Sequence, residues 1–132
     1  MNRFVIAGAP CSGKSSFVRA TAQPGDLIYD YDDLHRALSG LGSHQHLASI
    51  RPYVLAARDA IFHQLEAHGQ QSAFVITSSP RRAEVEALAN RLSAELVLLS
   101  VSLADAHQRA DLDERPEVWH AYIENWFKNS DF

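Results

Sequence analysis

Apolar residues along the chain fall into short runs, separated by stretches in which they recur every three or four positions. The runs are RFVIA (3–7), DLIYDY (26–31), SAFVITS (72–78) and ELVLLSV (95–101), and their Val, Ile and Leu content suits strands buried on both faces. The stretches between them predict helices over 14–22, 32–39 and 51–68. A fourth helix opens at SPRRAEVEALANRL, where Ser79 can cap the N-terminus and Pro80 can take the first turn. Strands alternating with amphipathic helices point to an α/β fold with a parallel sheet and crossover helices.

Two further segments complete the pattern. SGLGSHQHLAS (39–49) combines glycines with a histidine pair and has no periodicity, so it predicts a mobile loop. His44 and His46 suggest zinc only weakly, because no third ligand is identifiable. After Pro116, Trp119, Tyr122, Ile123 and Trp126 recur at helical spacing, which predicts a C-terminal helix whose aromatic face docks onto the sheet.

The 132 residues, 46% of them hydrophobic, suit one domain spanning 1–132. No apolar stretch approaches the roughly 20 residues of a membrane helix and no secretory signal is visible, so the expected location is the cytoplasm and no membrane partner is expected. A net charge of −4 excludes a global basic field for nucleic acid, though not a local groove. Ten of the twelve cations are arginines, and Lys14 and Lys128 are the two lysines.

Lys14 lies in GAPCSGKS, which fits G-x-x-x-x-G-K-[ST] between a predicted strand and a predicted helix. Gly8 and Gly13 allow backbone amides of Gly8, Ala9, Pro10, Cys11, Ser12, Gly13, Lys14, Ser15 and Ser16 to close on phosphate, Pro10 contributing only its shape. The first helix aims its N-terminus at the same anion. Lys14 is expected to neutralise the outer phosphates of a nucleotide, and the Ser15 hydroxyl to ligate Mg²⁺. Cys11 reads as an ordinary loop residue, open to alkylation when nucleotide is absent.

No Asp-x-x-Gly or Asn-Lys-x-Asp of a switch GTPase follows, and VITSSP ends the third run without the carboxylate of a motor ATPase. The acids come earlier, in LIYDYDDLHRAL, where Asp30 and Asp32 project from the same side of an extended chain at a strand's carboxyl end. A carboxylate there can hold Mg²⁺ through water, and another can accept the proton of an attacking hydroxyl. The lesser alternative is that Asp32 or Asp33 caps the second helix and the others are solvated.

In these motifs the chain resembles the small P-loop kinases, in particular the shikimate-kinase, zeta-toxin and polynucleotide-kinase-like groups, and phage-encoded kinase-like proteins. The resemblance implies a P-loop NTPase three-layer sandwich with a small, mostly parallel sheet in strand order 2-3-1-4. It implies ATP and Mg²⁺ as cofactors and transfer of the γ-phosphoryl group to an acceptor hydroxyl. Asp32 then matches the general base and Asp30 the acid near magnesium. Asp33 and Arg36 fall where acceptor ligands are expected, although the arginine's usual place is taken by His35.

A lid over about 104–117 is implied by HQRADLDERPEVW, with Arg109 and Arg115 matching lid arginines. Pro116 disfavours helix at Arg115 and so predicts a turn there. Ion pairing with Asp111, Asp113 and Glu114 is the alternative use of these arginines. Arg81 and Arg82, after the third run, can hold an acceptor phosphate as in the polynucleotide-kinase-like group, or can be plain surface residues. The loop 39–49, together with Arg51 and Arg58, can form an acceptor-binding wall. The expected acceptor is a nucleoside, nucleotide or polynucleotide hydroxyl ahead of a small metabolite. A non-catalytic ATP-binding module or a slow ATPase, acting with a protein partner, is the competing expectation.

Overall fold

The computed structural model describes residues 2–132 and contains four strands and six helices. In chain order they are β1 (Arg3–Ala7), α1 (Lys14–Thr21), β2 (Leu27–Tyr29), α2 (Tyr31–Ser39), α3 (Arg51–Ala67), β3 (Ala73–Thr77), α4 (Arg82–Arg91), β4 (Glu95–Leu98), α5 (Leu103–Leu112) and α6 (Val118–Asn129). The strands pair in the order β2-β3-β1-β4, every pair parallel. β1 and β3 are therefore central, and both are almost wholly buried.

Successive residues of a strand face opposite sides of a sheet, so the central pair feeds two cores. Val5, Ala7, Ala73 and Val75 pack with Phe62 and Leu65 of α3 and Val85 and Ala89 of α4. Phe4, Ile6, Phe74 and Ile76 pack with Phe17 and Val18 of α1 on the other face. Each fully buried Val or Ile contributes about 1.5–3 kcal/mol, so these alternating sets account for the three-layer arrangement. No helix of the described residues is long and apolar enough to cross a membrane.

Several boundaries differ from the sequence pattern, each for a local reason. β2 stops at Tyr29 because Asp30 turns out of the strand to cap α2, its side chain accepting from the Asp32 amide at 3.0 Å. β4 stops at Leu98, and Ser102 caps α5 by accepting from the Asp105 amide. α4 begins at Arg82 with no side-chain cap; Ser79 instead receives the Arg81 amide and donates to Glu84.

The C-terminal helix does not dock onto the sheet. Ile123 of α6 is fully buried against Ala106 and Ala110 of α5 and against Cys11. Two alanines one helical turn apart allow close approach between helices, which draws α6 onto α5. His107 and His120 stack across that seam, with ring centroids 4.9 Å apart.

Candidate active site

The chain between β1 and α1 wraps tightly. A Cβ on Gly8 would come within 2.5 Å of the Leu99 carbonyl oxygen and 2.7 Å of Ser12 Oγ, so no other residue fits the cradle. Gly13 caps α1 at φ 95°, a left-handed conformation that glycine adopts without strain. Ala9 is buried, and Pro10, Cys11, Ser12, Gly13, Lys14, Ser15 and Ser16 line the adjoining cleft. Cys11 is 9% exposed, and burial pushes its thiol above the usual value against the charges of Arg115 and Lys14. Burial and the raised pKa both disfavour the reactive thiolate.

Lys14 is 7% exposed, and its ammonium donates to the carbonyls of Gly8 (2.8 Å) and Ala9 (2.6 Å). Burial lowers its pKa from 10.5 to about 8. The ammonium also reaches Ser12 Oγ at 3.5 Å, so it rests on neutral dipoles and lacks a paired carboxylate, a counter-charge that an arriving phosphate would supply.

Ser15 Oγ donates to Asp30 Oδ2 at 2.8 Å. Burial raises the Asp30 pKa, partly offset by this hydrogen bond. A hydroxyl and a carboxylate side by side at the mouth of a phosphate loop are hard oxygen donors that fit Mg²⁺, which takes few protein ligands beside phosphate. The site therefore fits both implied cofactors, Ser15 and Asp30 toward the metal and residues 8–16 toward the nucleotide phosphates.

Asp32, on the first turn of α2, lies in the same cleft. His46 Nε2 bonds its Oδ1 at 2.5 Å, and His44 Nδ1 stands 3.7 Å from its Oδ2. Burial pushes the Asp32 pKa up, but the His46 hydrogen bond and the charges of His46, His44 and Arg115 outweigh it, and the carboxyl ends below its usual value. It is ionised at neutral pH, as a proton acceptor must be. Segment 43–47 is therefore a fastened strap: the Leu47 amide donates to buried His35 at 2.9 Å, and Trp119 Nε1 donates to the His44 carbonyl at 2.8 Å. The histidine pair faces Asp32, and among the described residues no group of three or more ligating side chains is placed to hold a metal ion.

Both lid candidates reach the cleft. Arg109, in the last turn of α5, donates to the Cys11 carbonyl at 3.1 Å. α5 ends at Leu112, earlier than Pro116 alone dictates, because Glu114 turns to φ 53° and the Arg115 amide bonds back to the Ala110 carbonyl. Arg115 so occupies a turn, its guanidinium 4.5 Å from the Trp119 ring and paired with Asp113 at 2.9 Å.

The acceptor-side candidates divide. Arg36 lines the cleft, bonded to Ser43 at 3.1 Å, whereas His35 is fully buried and holds the strap. Asp33 lines the cleft rim and pairs with Arg36 at 3.6 Å. Arg81 and Arg82 do not line it: they pair with Glu84 and Glu86 on the surface of α4, and the Arg82 amide is taken by Asp131. Arg81 is the N-cap of α4 and Arg82 its first residue, and both side chains follow the helix surface away from the opening. Arg51 and Arg58 of α3 do line it.

The whole cleft encloses about 1680 Å³. Seven of the chain's twelve lysines and arginines line it, against five of its sixteen carboxylates, so a protein of net charge −4 presents a cationic interior. Sequence reasoning placed the 39–49 loop at the acceptor wall but missed the engagement of Asp32 by His44 and His46 and the lining role of Trp119 and Tyr122. Their signals were visible but read otherwise: the aromatic stripe was directed at the sheet, and the alternation in HQH was weighed for zinc.

No protein-family model matches the chain, and no curated protein sequence matches it. Solved structures do. A gluconokinase from Sinorhizobium meliloti superposes with TM-score 0.63 at 20% identity, covering 99% of this chain and 75% of that one. A shikimate kinase from Acinetobacter baumannii, crystallised with shikimate, gives TM-score 0.61 at 14% identity, covering 97% and 75%. The fold is that of the P-loop kinases. The strand order 2-3-1-4 and the parallel sheet expected from the sequence are the observed ones.

Proposed function

We propose that the protein is a Mg²⁺- and ATP-dependent kinase that transfers the γ-phosphoryl group to a hydroxyl of a small anionic acceptor, a nucleotide or a hydroxy acid. One observation carries this reading. Ser15 and Asp30 are hydrogen-bonded at the phosphate loop, and the other oxygen of Asp30 holds the amide of Asp32, which fixes the candidate base beside the candidate metal ligands. The two solved neighbours described as kinases support the class of reaction without fixing the acceptor.

Residues 8–16 bind the nucleotide phosphates, and Lys14 exchanges its backbone partners for them. Bound Mg²⁺ supplies charge neutralisation between phosphates and protein. Asp32 orients the acceptor hydroxyl and takes its proton as the acceptor oxygen bonds to phosphorus and the bond to the departing ADP oxygen breaks. Arg109 and Arg115 face the opening where the transferred charge spreads. Arg36, Arg51 and Arg58 supply the cationic wall for the acceptor's anionic group. With Arg81 and Arg82 outside the cleft, the argument that favoured a polynucleotide end loses its support.

The test is Asp32→Asn assayed with [γ-³²P]ATP against pooled nucleosides, nucleotides and hydroxy acids. Loss of the base should lower transfer by about 10²- to 10⁴-fold while nucleotide binding persists. Transfer at the parent rate would refute the assignment. The engagement of Asp32 by histidines favours a second reading, a nucleotide-binding module with the acid locked. It predicts tight ATP binding without turnover on any member of the pool.

A further inference from the structure

α6 turns more aromatic surface toward the cleft than its packing requires. Ile123 is its fully buried residue in the seam with α5. Tyr122 and Trp126, one helical turn apart, both line the cleft, and Tyr122 keeps 39% of its surface exposed there. Trp119 is the buried neighbour and is already engaged: its N–H donates to the His44 carbonyl at 2.8 Å, and the Arg115 guanidinium lies over its ring at 4.5 Å. Tyr122 meets Trp119 at 76° with centroids 5.4 Å apart, and lies 6.2 Å from the His46 ring with 23° between the planes. A ring braced by two neighbours and still open to a cleft has the form of a stacking platform.

The place of that ring says which ligand it serves. His46, against which it lies, bonds Asp32, the candidate base. In ATP the base is separated from the γ-phosphate by ribose and two phosphates, whereas a ring on the acceptor follows closely on the carbons that carry the reacting hydroxyl. A platform one side chain away from Asp32 therefore suits the acceptor. The cleft has room for it, since about 1680 Å³ exceeds the roughly 300–1,000 Å³ of a single small-molecule site. Asn125, three residues beyond Tyr122 and so on the same face, adds a polar group. Asn129 Nδ2 donates both to the Asn125 carbonyl at 2.8 Å and to Asn125 Oδ1 at 2.9 Å. The side-chain oxygen of Asn125 is thereby taken, and its NH₂ is left to donate at the cleft that it lines. An open ring beside an amide donor suits a flat heterocycle with acceptor atoms on its edge. A hydroxy acid offers no face to stack.

We propose that α6 carries the acceptor-recognition surface and that the acceptor is a nucleotide, its base stacked on Tyr122 with its edge toward Asn125. This rests on the kinase reading above and narrows its two acceptor classes to one. The reaction is unchanged: a ribose hydroxyl gives its proton to Asp32 as its oxygen bonds to phosphorus and ADP departs. The acceptor's own phosphate falls to the cationic wall of Arg36, Arg51 and Arg58.

The experiment saturates the protein with Mg²⁺ and a non-hydrolysable ATP analogue. Isothermal titration then compares ribonucleoside 5′-monophosphates with ribose 5-phosphate, the same sugar and phosphate without a base. Wild type should bind at least one nucleotide roughly 5- to 150-fold more tightly than ribose 5-phosphate, the scale of one base stacked on an aromatic ring. Tyr122→Leu keeps apolar bulk and should lose most of that advantage, with ribose 5-phosphate and the ATP analogue bound as in wild type. Tyr122→Phe keeps the ring and should retain the advantage. Equal affinity for nucleotides and ribose 5-phosphate, or wild-type nucleotide binding by Tyr122→Leu, would overturn the proposal. So would weakened binding of the ATP analogue by Tyr122→Leu, which would assign the ring to the base of ATP. Transfer from [γ-³²P]ATP is read separately. Base-dependent binding without transfer fails the kinase reading and leaves the stacking site standing, whereas transfer to sugar acids without base-dependent binding fails the stacking site and keeps the kinase.

Discussion

Nucleotide binding should take up a proton, and its amount and pH dependence follow from the position of Lys14. In the free protein burial sets the Lys14 pKa at about 8, against the ordinary 10.5. Phosphate brought to the ammonium restores the counter-charge, and its own last proton, half gone near pH 6, is essentially gone at pH 8 and 9, where the count is therefore read. If binding returns Lys14 to its ordinary pKa, the difference in occupancy is about one-tenth of a proton at pH 7, half at pH 8 and nine-tenths at pH 9. The sign is fixed: the complex holds more protons than the free protein, so affinity falls as pH rises through the free-state pKa. Between pH 7 and 9 the dissociation constant should rise about tenfold, or roughly 1.4 kcal/mol. Isothermal titration of a non-hydrolysable ATP analogue in buffers of different ionisation enthalpy reads the uptake directly. Lys14→Arg serves as control, since a guanidinium stays protonated throughout. Uptake below a fifth of a proton at pH 9, or equal uptake by Lys14→Arg, would refute the reasoning.

Other substitutions test the scaffold. Gly8→Ala places a methyl against the Leu99 carbonyl and Ser12; urea denaturation should show a loss of about 3 kcal/mol, with nucleotide binding abolished, and a parent-like midpoint would mean the cradle is looser than described. Arg3, 5% exposed at the start of β1, donates to the carbonyls of Leu65, His68, Gln71 and Leu92 and so ties the ends of α3 and α4 to the sheet. Arg3→Lys keeps the charge but loses the planar fork, and equilibrium unfolding should report about 2–3 kcal/mol lost; a change under 0.5 kcal/mol would show that water replaces the missing donors.

The local elements were readable because their causes are local. Apolar runs marked the strands, and the spacing from Gly8 to Ser15 required a backbone cradle. Asp30 and Asp32, two residues apart at a strand end, announced acids near the phosphate. Pro116 marked a turn at Arg115, though the break arrives sooner through Glu114. Arg3 went unread because nothing in RFVIA says that its side chain folds inward to meet carbonyls from residues more than sixty positions away. HQH looked like a free loop because its partners, Asp32, His35 and Trp119, come from α2 and α6. Which of His35 and Arg36 borders the cleft was likewise decided by which way α2 faces.

Sequence alone determined the alternation of strand and helix, the phosphate cradle and the acid pair, since each depends on residues a few positions apart and on backbone geometry that side chains dictate directly. Tertiary structure decided the rest of the cleft. α6 chose α5 over the sheet because Ala106 and Ala110 leave room for Ile123. Arg81 and Arg82 were lost to the site by the direction in which α4 leaves. His44 and His46 were delivered to Asp32 by a strap whose fastenings lie up to 75 residues apart in the chain. Contacts between distant segments depend on how all the layers pack at once, and a single stretch of sequence carries no record of that packing.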